Sequence, residues 1–308
     1  MEIVTTVAIS LSLGLLVCLF PFFVVILIEQ IAPIERFSMR DRLPGLVMNV
    51  VLVTLGPALV WPLQRLWIWL GVAHSVTIPL WTWLAPLGIA GYALQILFLV
   101  ALADFLVYWR HRAEHRWFWP IHAVHHVPTE LHAANDYGHP GQTIVNLIFV
   151  LLPLSLFQFD GPTTPFVVVF IATLMTIYIH SPVDVHFGPL RTLLVDNRFH
   201  RIHHSLEERH FDRNFGICFS IWDRMFGTAY DPDPAEWPRV GLAGIDPPRS
   251  IVEYLSLPVR VWTQARKLPT GYALATTSAG LDGSLSRDKA AATALASAPT
   301  VNGLRSSS

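Results

Sequence analysis

Histidine carries the chemistry in this sequence. Of 14 histidines, seven fall between His111 and His139, six between His180 and His210, and His74 stands apart. They come in runs: His111-Arg-Ala-Glu-His115, His122-Ala-Val-His125-His126 and His200-Arg-Ile-His203-His204, with His180 ahead of the last. On a helix, positions i, i+3 and i+4 share one face. His111 with His115 therefore makes a two-pronged ligand, and each HxxHH triplet is expected to point three imidazoles the same way. A chain of this composition would show roughly 0.03 HxxHH matches by chance; this one has two. A solvated helix face has no reason to prefer histidine to Lys or Glu, so metal binding is the reading for the triplets and for His180. His139 and His186 stay open between ligand and bystander, and His74, His132 and His210 are read as ordinary hydrogen-bonded residues.

Imidazole suits iron, zinc, copper and nickel. One tetrahedral zinc needs four ligands, whereas eight histidines sit in the boxes and His180 makes nine, a count that fits two metals with four to five ligands each. No HExxH run is present, which argues against a zinc protease of that kind. Carboxylate-bridged di-iron bundles need two Glu-x-x-His motifs, and only Glu207 to His210 is found. Asp184, four residues after His180, is a candidate tenth ligand or an orienting partner, and Asp104, seven residues before His111, suits a supporting role.

The elements that must position these residues are apolar. Residues of the AVILMFWYC set make up 53% of the chain and DEKR only 14%, against about 25% in soluble domains. Five windows lack Asp, Glu, Lys and Arg: Ile3 to Ile28, Leu43 to Gln64, Leu66 to Ala103, Pro140 to Phe159 and Gly161 to Val183. Each is expected to be long enough for a hydrocarbon core of about 30 Å, so the chain reads as an integral, multi-pass membrane protein. The first window is too long for a signal-peptide core and lacks a basic flank, so it is expected to be a retained span. Trp67, Trp69, Trp81 and Trp83 resemble aromatic-belt material, and a third span runs from about Gly88 to Trp109. The windows around Asp160-Gly161-Pro162 form a hairpin, spanning or re-entrant. Only Arg65 of the 21 basic residues then falls on the far side, which puts the histidine boxes in the cytoplasm, at a bacterial inner membrane or the endoplasmic reticulum. Imidazoles crowded at that membrane edge are costly unless something binds them.

The net charge of −1 gives a nucleic-acid partner no support. Cys18 and Cys218 are not expected to pair. Beyond Lys267 the chain turns Ala/Ser/Thr-rich and is expected to be disordered. The fold expected is all-α, a polytopic transmembrane helical bundle with a cytosolic, histidine-lined di-metal cap. Its parts are N-terminal helices and an interfacial segment (1–87), a catalytic region (88–232) and a C-terminal extension (233–308).

Between Asp104 and Tyr230 the residues resemble the fatty acid hydroxylase / sterol desaturase superfamily of membrane histidine-box oxygenases. The resemblance rests on Asp104-Phe-Leu-Val-Tyr-Trp-Arg-His111-Arg-Ala-Glu-His115, Trp119-Pro-Ile-His122-Ala-Val-His125-His126, His139-Pro140, His180-Ser181, Phe199-His200-Arg-Ile-His203-His204-Ser, Asn214-Phe215-Gly216 and Ile221-Trp-Asp-Arg-Met-Phe-Gly-Thr228. It implies a di-iron centre that activates O2 to hydroxylate or desaturate a lipid of fatty acyl, sterol or carotenoid type. It also implies His111, His115, His122, His125, His126, His180, His200, His203 and His204 as ligands. Where some members carry a second His shortly after the isolated one, this chain has Asp184 at i+4 and a histidine only at His186. Reduction of O2 takes four electrons and C–H oxidation supplies two, so an external ferredoxin or b-type cytochrome with its reductase is expected. Glu114, Asp184 and Asp196 are expected to help balance the metal charge. The alternatives are a histidine-rich membrane metal-binding or transport protein without oxidase activity, and a haem protein, which would leave most of these histidines idle.

Overall fold

A computed structural model describes residues 20–161 and 165–265. Most of the first apolar window, Cys18 and the Ala/Ser-rich tail lie outside the described residues.

Helix α1 (Phe20–Ile31) leads through a short turn to α2 (Met39–Trp69). There Ser38 and Asp41 form a reciprocal capping box that satisfies the first free N–H groups. Helix α4 (Ile89–Trp117) starts after Gly88, whose φ of 58° suits a residue without a Cβ. Among the described residues, α2 and α4 are the two helices long and apolar enough to cross a bilayer, and only 22% of the apolar window of each is buried. Val50, Val53, Leu59, Leu94, Leu97 and Phe98 are exposed on them. A core helix of a soluble protein would bury such a surface; these need lipid around them. Pro57 and Pro62 lie inside α2, as membrane helices tolerate.

Between α2 and α4 run the strand β1 (Val76–Ile78) and the short helix α3 (Leu80–Leu84). After the histidine-bearing α5 (Trp119–His126) come α6 (Gln142–Asn146), a π-helical turn at Leu147–Leu151, α7 (Leu152–Ser155) and β2 (Phe157–Phe159). β1 and β2 pair in parallel, Val76 with Phe157 and Ile78 with Phe159, so the fold is mostly but not wholly helical. The Asp160 carboxylate accepts from the N–H groups of Trp81 (2.6 Å) and Thr82 (3.1 Å), which pins the hairpin turn onto α3. Helix α8 (Pro165–Ile179) delivers His180 at its end.

Among the described residues, the windows 140–159 and 161–183 contain no helix of full bilayer length. They give helices Gln142–Ser155 and Pro165–Ile179, about 21–22 Å long at 1.5 Å per residue. That is short of the ~30 Å that a full span needs. In the first of these windows the chain leaves the helix before Phe157 to pair with β1, which ends the helix there.

Three short helices complete the fold: α9 (Asn197–His203), α10 (Ile221–Met225) and α11 (Ile251–Ala265). On α11, Tyr254, Leu257 and Val261 are buried against Ala123, Val124 and Val127 of the α5 segment, in a core shared with Met48 of α2. The other core joins Val25, Val100, Ile177, Ile179, Phe199 and Ile217. A buried ion pair, Glu29 with Arg42, ties α1 to α2, and Glu29 also accepts the Ala133 N–H at 2.8 Å. The histidines meet where α4, α5, α8 and α9 converge.

Candidate metal centre

Helix α4 presents His111 and His115 one turn apart near its C-terminus. Phe118 then leaves helical geometry, and Pro120, at a position where a missing N–H costs nothing, starts α5 back across them. This fold-back puts His111 Nε2 3.1 Å from His122 Nε2, and His115 Nε2 3.3 Å from His126 Nε2. On the other side α8 ends at His180, whose Nε2 lies 3.1 Å from that of His125 and 3.2 Å from that of His200. Asp196 caps α9 by accepting the Phe199 N–H at 2.9 Å, which sets the start of the second triplet.

The eight box histidines and His180 come together, in two groups. His111, His115, His122, His126 and His203 form one; His125, His180, His200 and His204 form the other. Within each, one nitrogen per ring lies within 4.8 Å of every other. The triplets do not point three imidazoles one way. At 100° per residue the i+3 ring diverges from the i and i+4 rings. His122 and His126 therefore serve the first group and His125 the second, while His200 and His204 serve the second and His203 the first.

The donor set fits metal ions. His111, His125, His180 and His203 turn Nδ1 to the carbonyls of Phe215 (2.9 Å), Tyr137 (3.2 Å), Thr176 (2.6 Å) and Arg213 (2.8 Å). A carbonyl only accepts, so each Nδ1 carries the proton and each Nε2 keeps its lone pair for the interior. His203 Nε2 is buried with no hydrogen-bond partner. Six pairs of Nε2 atoms stand 3.1 to 3.3 Å apart. For metal–nitrogen bonds of about 2.0–2.1 Å, neighbouring donors lie about 2.8–3.0 Å apart in an octahedron and about 3.3–3.4 Å apart in a tetrahedron. The observed spacing falls between them, as four or five donors require.

Burial holds His122, His125, His126, His200, His203 and His204 well below the ordinary imidazole pKa, and neighbouring imidazoles push the same way. His180 is pulled down to about 4, again by burial. These rings are neutral at pH 7, the form that binds a metal.

The supporting residues fall in varied places. Asp104 accepts from the N–H groups of Cys218 and Phe219 (2.9 Å each) and from Trp222 Nε1 (3.0 Å), so it anchors the segment after Asn214 rather than a ring. Asp223 accepts from the N–H groups of Phe215 and Gly216 (2.8 Å each) and thereby fixes the carbonyl that holds His111. His139 lies beside the groups, with its Nε2 3.2 Å from the Leu255 carbonyl. Asp184, 60% exposed, pairs at the surface with His186 (3.7 Å) and Arg198 (3.8 Å), away from both groups. His132 is buried against Asn135. His210 bonds Ser205 at 2.8 Å and lies with Glu207 and Glu236, whose carboxylates Arg209 bridges. Sequence reasoning missed Asp212, 3.0 Å from His115 Nδ1, and Gln142, 2.9 Å from His122 Nδ1. Neither lies in a motif, and only the chain's return to the cage reveals them.

The profile of the fatty acid hydroxylase family matches residues 96–228, the stretch that carries all nine histidines. Over that stretch the chain carries a fatty acid hydroxylase-type domain. It is similar to ornithine lipid hydroxylase OlsE of Rhizobium tropici, 30% identical over 162 residues, which is 49% of this chain and 46% of that protein. It is 28% identical over 207 residues to alkylglycerol monooxygenase of Danio rerio, covering 62% of this chain and 38% of that one. Very-long-chain aldehyde decarbonylase GL1-11 of Oryza sativa subsp. indica is 28% identical over 169 residues, 53% of this chain and 59% of that protein. The chain thus spans about half or less of the first two of these relatives. No solved structure gives a significant match.

Proposed function

We propose that this chain is a membrane-bound, O2-dependent di-iron oxygenase that hydroxylates, or by the same hydrogen abstraction desaturates, an unactivated C–H bond of a lipid. The observation that carries it is the convergence of nine imidazoles, in groups of five and four, at the end of a bilayer-length helix. The nine histidines are the proposed ligands, and residues 88–232 the proposed catalytic unit, which contains the family match. Kinship with an ornithine lipid hydroxylase and alkylglycerol monooxygenases supports a lipid substrate and oxygen insertion.

A bound iron pair supplies O2 activation and C–H oxidation; the rest falls to the chain. Backbone carbonyls of Phe215, Tyr137, Thr176 and Arg213 keep the rings in one tautomer and one orientation. Ala123, Val124, Val127 and Ile202, each fully buried, keep water away from the cage. The lipid-facing surfaces of α2 and α4 offer an apolar substrate a path from the bilayer. An external ferredoxin or b-type cytochrome with its reductase supplies the two electrons that the substrate does not. The proposed setting is a multi-pass membrane protein with the cage on the cytoplasmic side, following the distribution of basic residues.

Mass spectrometry of lipid extracts from cells with and without the protein tests the reading. A lipid that gains one oxygen atom, or loses two hydrogens, only when the intact protein is present is the expected result. Extracts that match, from cells whose purified protein carries iron, would overturn it.

A further inference from the structure

The two groups differ in what stands behind their imidazoles. In the group of four, His125 and His180 lean on backbone carbonyls, and the Nδ1 atoms of His200 and His204 are buried without a partner. In the group of five, two rings meet carboxylates. His115 Nδ1 lies 3.0 Å from Asp212 and His122 Nδ1 lies 3.1 Å from Glu114 Oε2. Asp212 is 32% exposed and screened by water, whereas Glu114 is 0% exposed.

Glu114 is held in a built setting. Gln142 Oε1 accepts the His139 N–H at 2.9 Å, which fixes the amide so that its Nε2 faces inward, 3.4 Å from Glu114 Oε1 and 2.9 Å from His122 Nδ1. Residue 138 makes room for this, because a Cβ on Gly138 would lie 2.2 Å from Gln142 Oε1. His122 Nδ1 accepts from Gln142 only while its own proton sits on Nε2, the atom that faces His111 and His126 at 3.1 Å. When Nε2 gives its lone pair to a metal, the proton resides on Nδ1. Glu114 Oε2, which has no other hydrogen-bond partner, is then the acceptor beside it.

We infer that Glu114 is a positioning residue that makes the two metal positions unequal: through His122 it holds the five-histidine metal more tightly than the four-histidine one. The inference rests on the ligand set proposed above. A carboxylate behind a ligating imidazole raises the basicity of the ring, and its loss typically costs about 10–100-fold in metal affinity. Asp212 acts on His115 in the same sense and more weakly, because water already screens it.

The test uses the full chain in detergent, loaded with cobalt(II) and challenged with a chelator. Release is followed by visible absorption and metal analysis. Wild type is expected to hold two equivalents and release them in two phases. Glu114→Gln, which keeps the shape and removes the charge, is expected to speed the slow phase by about 10–100-fold and leave the fast phase unchanged. Gln142→Ala keeps the carboxylate and is expected to move the slow phase less. A single phase in wild type, both phases speeding together, or no change in Glu114→Gln would each overturn the role. Loading below two equivalents would overturn the cage itself, and this role with it.

Discussion

The imidazoles of His126 and His204 stack with ring centroids 4.4 Å apart and planes 27° from parallel, although one belongs to the group of five and the other to the group of four. This stack lies on the seam between the two halves of the cage. It joins the last residue of one HxxHH triplet to the last residue of the other.

That seam lets the halves be tested separately. His204→Ala removes one of four donors from the smaller group and none from the larger. Bound metal is expected to fall from two equivalents towards one, because the smaller group loses one of its four donors, and lipid oxidation is expected to stop. Metal analysis of the purified variant decides it; two retained equivalents would take His204 out of the ligand set.

Acid should destabilise the metal-free protein. The buried imidazoles have folded pKa values below the unfolded value of about 6.5, His180 at about 4. Below pH 6.5 the unfolded chain takes up protons that the folded chain refuses, so unfolding becomes easier as pH falls. Each such histidine contributes about 1.4 kcal/mol per pH unit, until its own folded pKa is reached. Melting temperatures of the metal-stripped protein should therefore drop steadily from pH 7 to pH 5. A flat profile over that range would contradict the burial.

Asp223→Ala should loosen the cage from outside it. Phe215 N–H, Gly216 N–H and Thr228 Oγ1 lose their common acceptor, at a cost of about 3 kcal/mol for buried donors that had a charged partner. The carbonyl holding His111 then drifts. Both a lower melting temperature and faster metal loss are expected, and a change in neither would show that the segment is held by other contacts.

The Glu29–Arg42 pair gives an asymmetric prediction. Arg42→Met strands a buried carboxylate and should cost about 3–5 kcal/mol. Pairing it with Glu29→Gln, which can still accept the Ala133 N–H, should recover most of that loss. Denaturation of the single and double variants in the same detergent measures the recovery; equal losses would mean that the charge pairing is immaterial.

Much of the centre was legible because histidine spacing at i, i+3 and i+4 is a local signal, and the nine clustered residues are those that the boxes named. How the triplets divide was not legible. A shared helix face covers about 100°, wide enough for His122 and His125 to reach different neighbours, and only the approach of α9 decides which. The bilayer-length helices α2 and α4 were readable from uncharged windows, whereas for the windows 140–159 and 161–183 the sequence left spanning and re-entrant open. Absence of charge says nothing of a strand, and Phe157–Phe159 pairs with a partner just over eighty positions away. Asp212 and Gln142 escaped notice for the same reason: their partners His115 and His122 are distant in sequence. Asp104, expected to support a histidine ring, accepts instead from a backbone segment more than a hundred residues on.

The interleaving of α5 and α9 bears on assembly. A nascent chain in which only α4 and α5 have docked offers four imidazoles to one position and a lone one to the other; α8 and α9 must arrive to complete either. The two groups are thereby completed only when segments far apart in the chain have converged, so an intact pair of groups is a property of the finished fold and of no single hairpin.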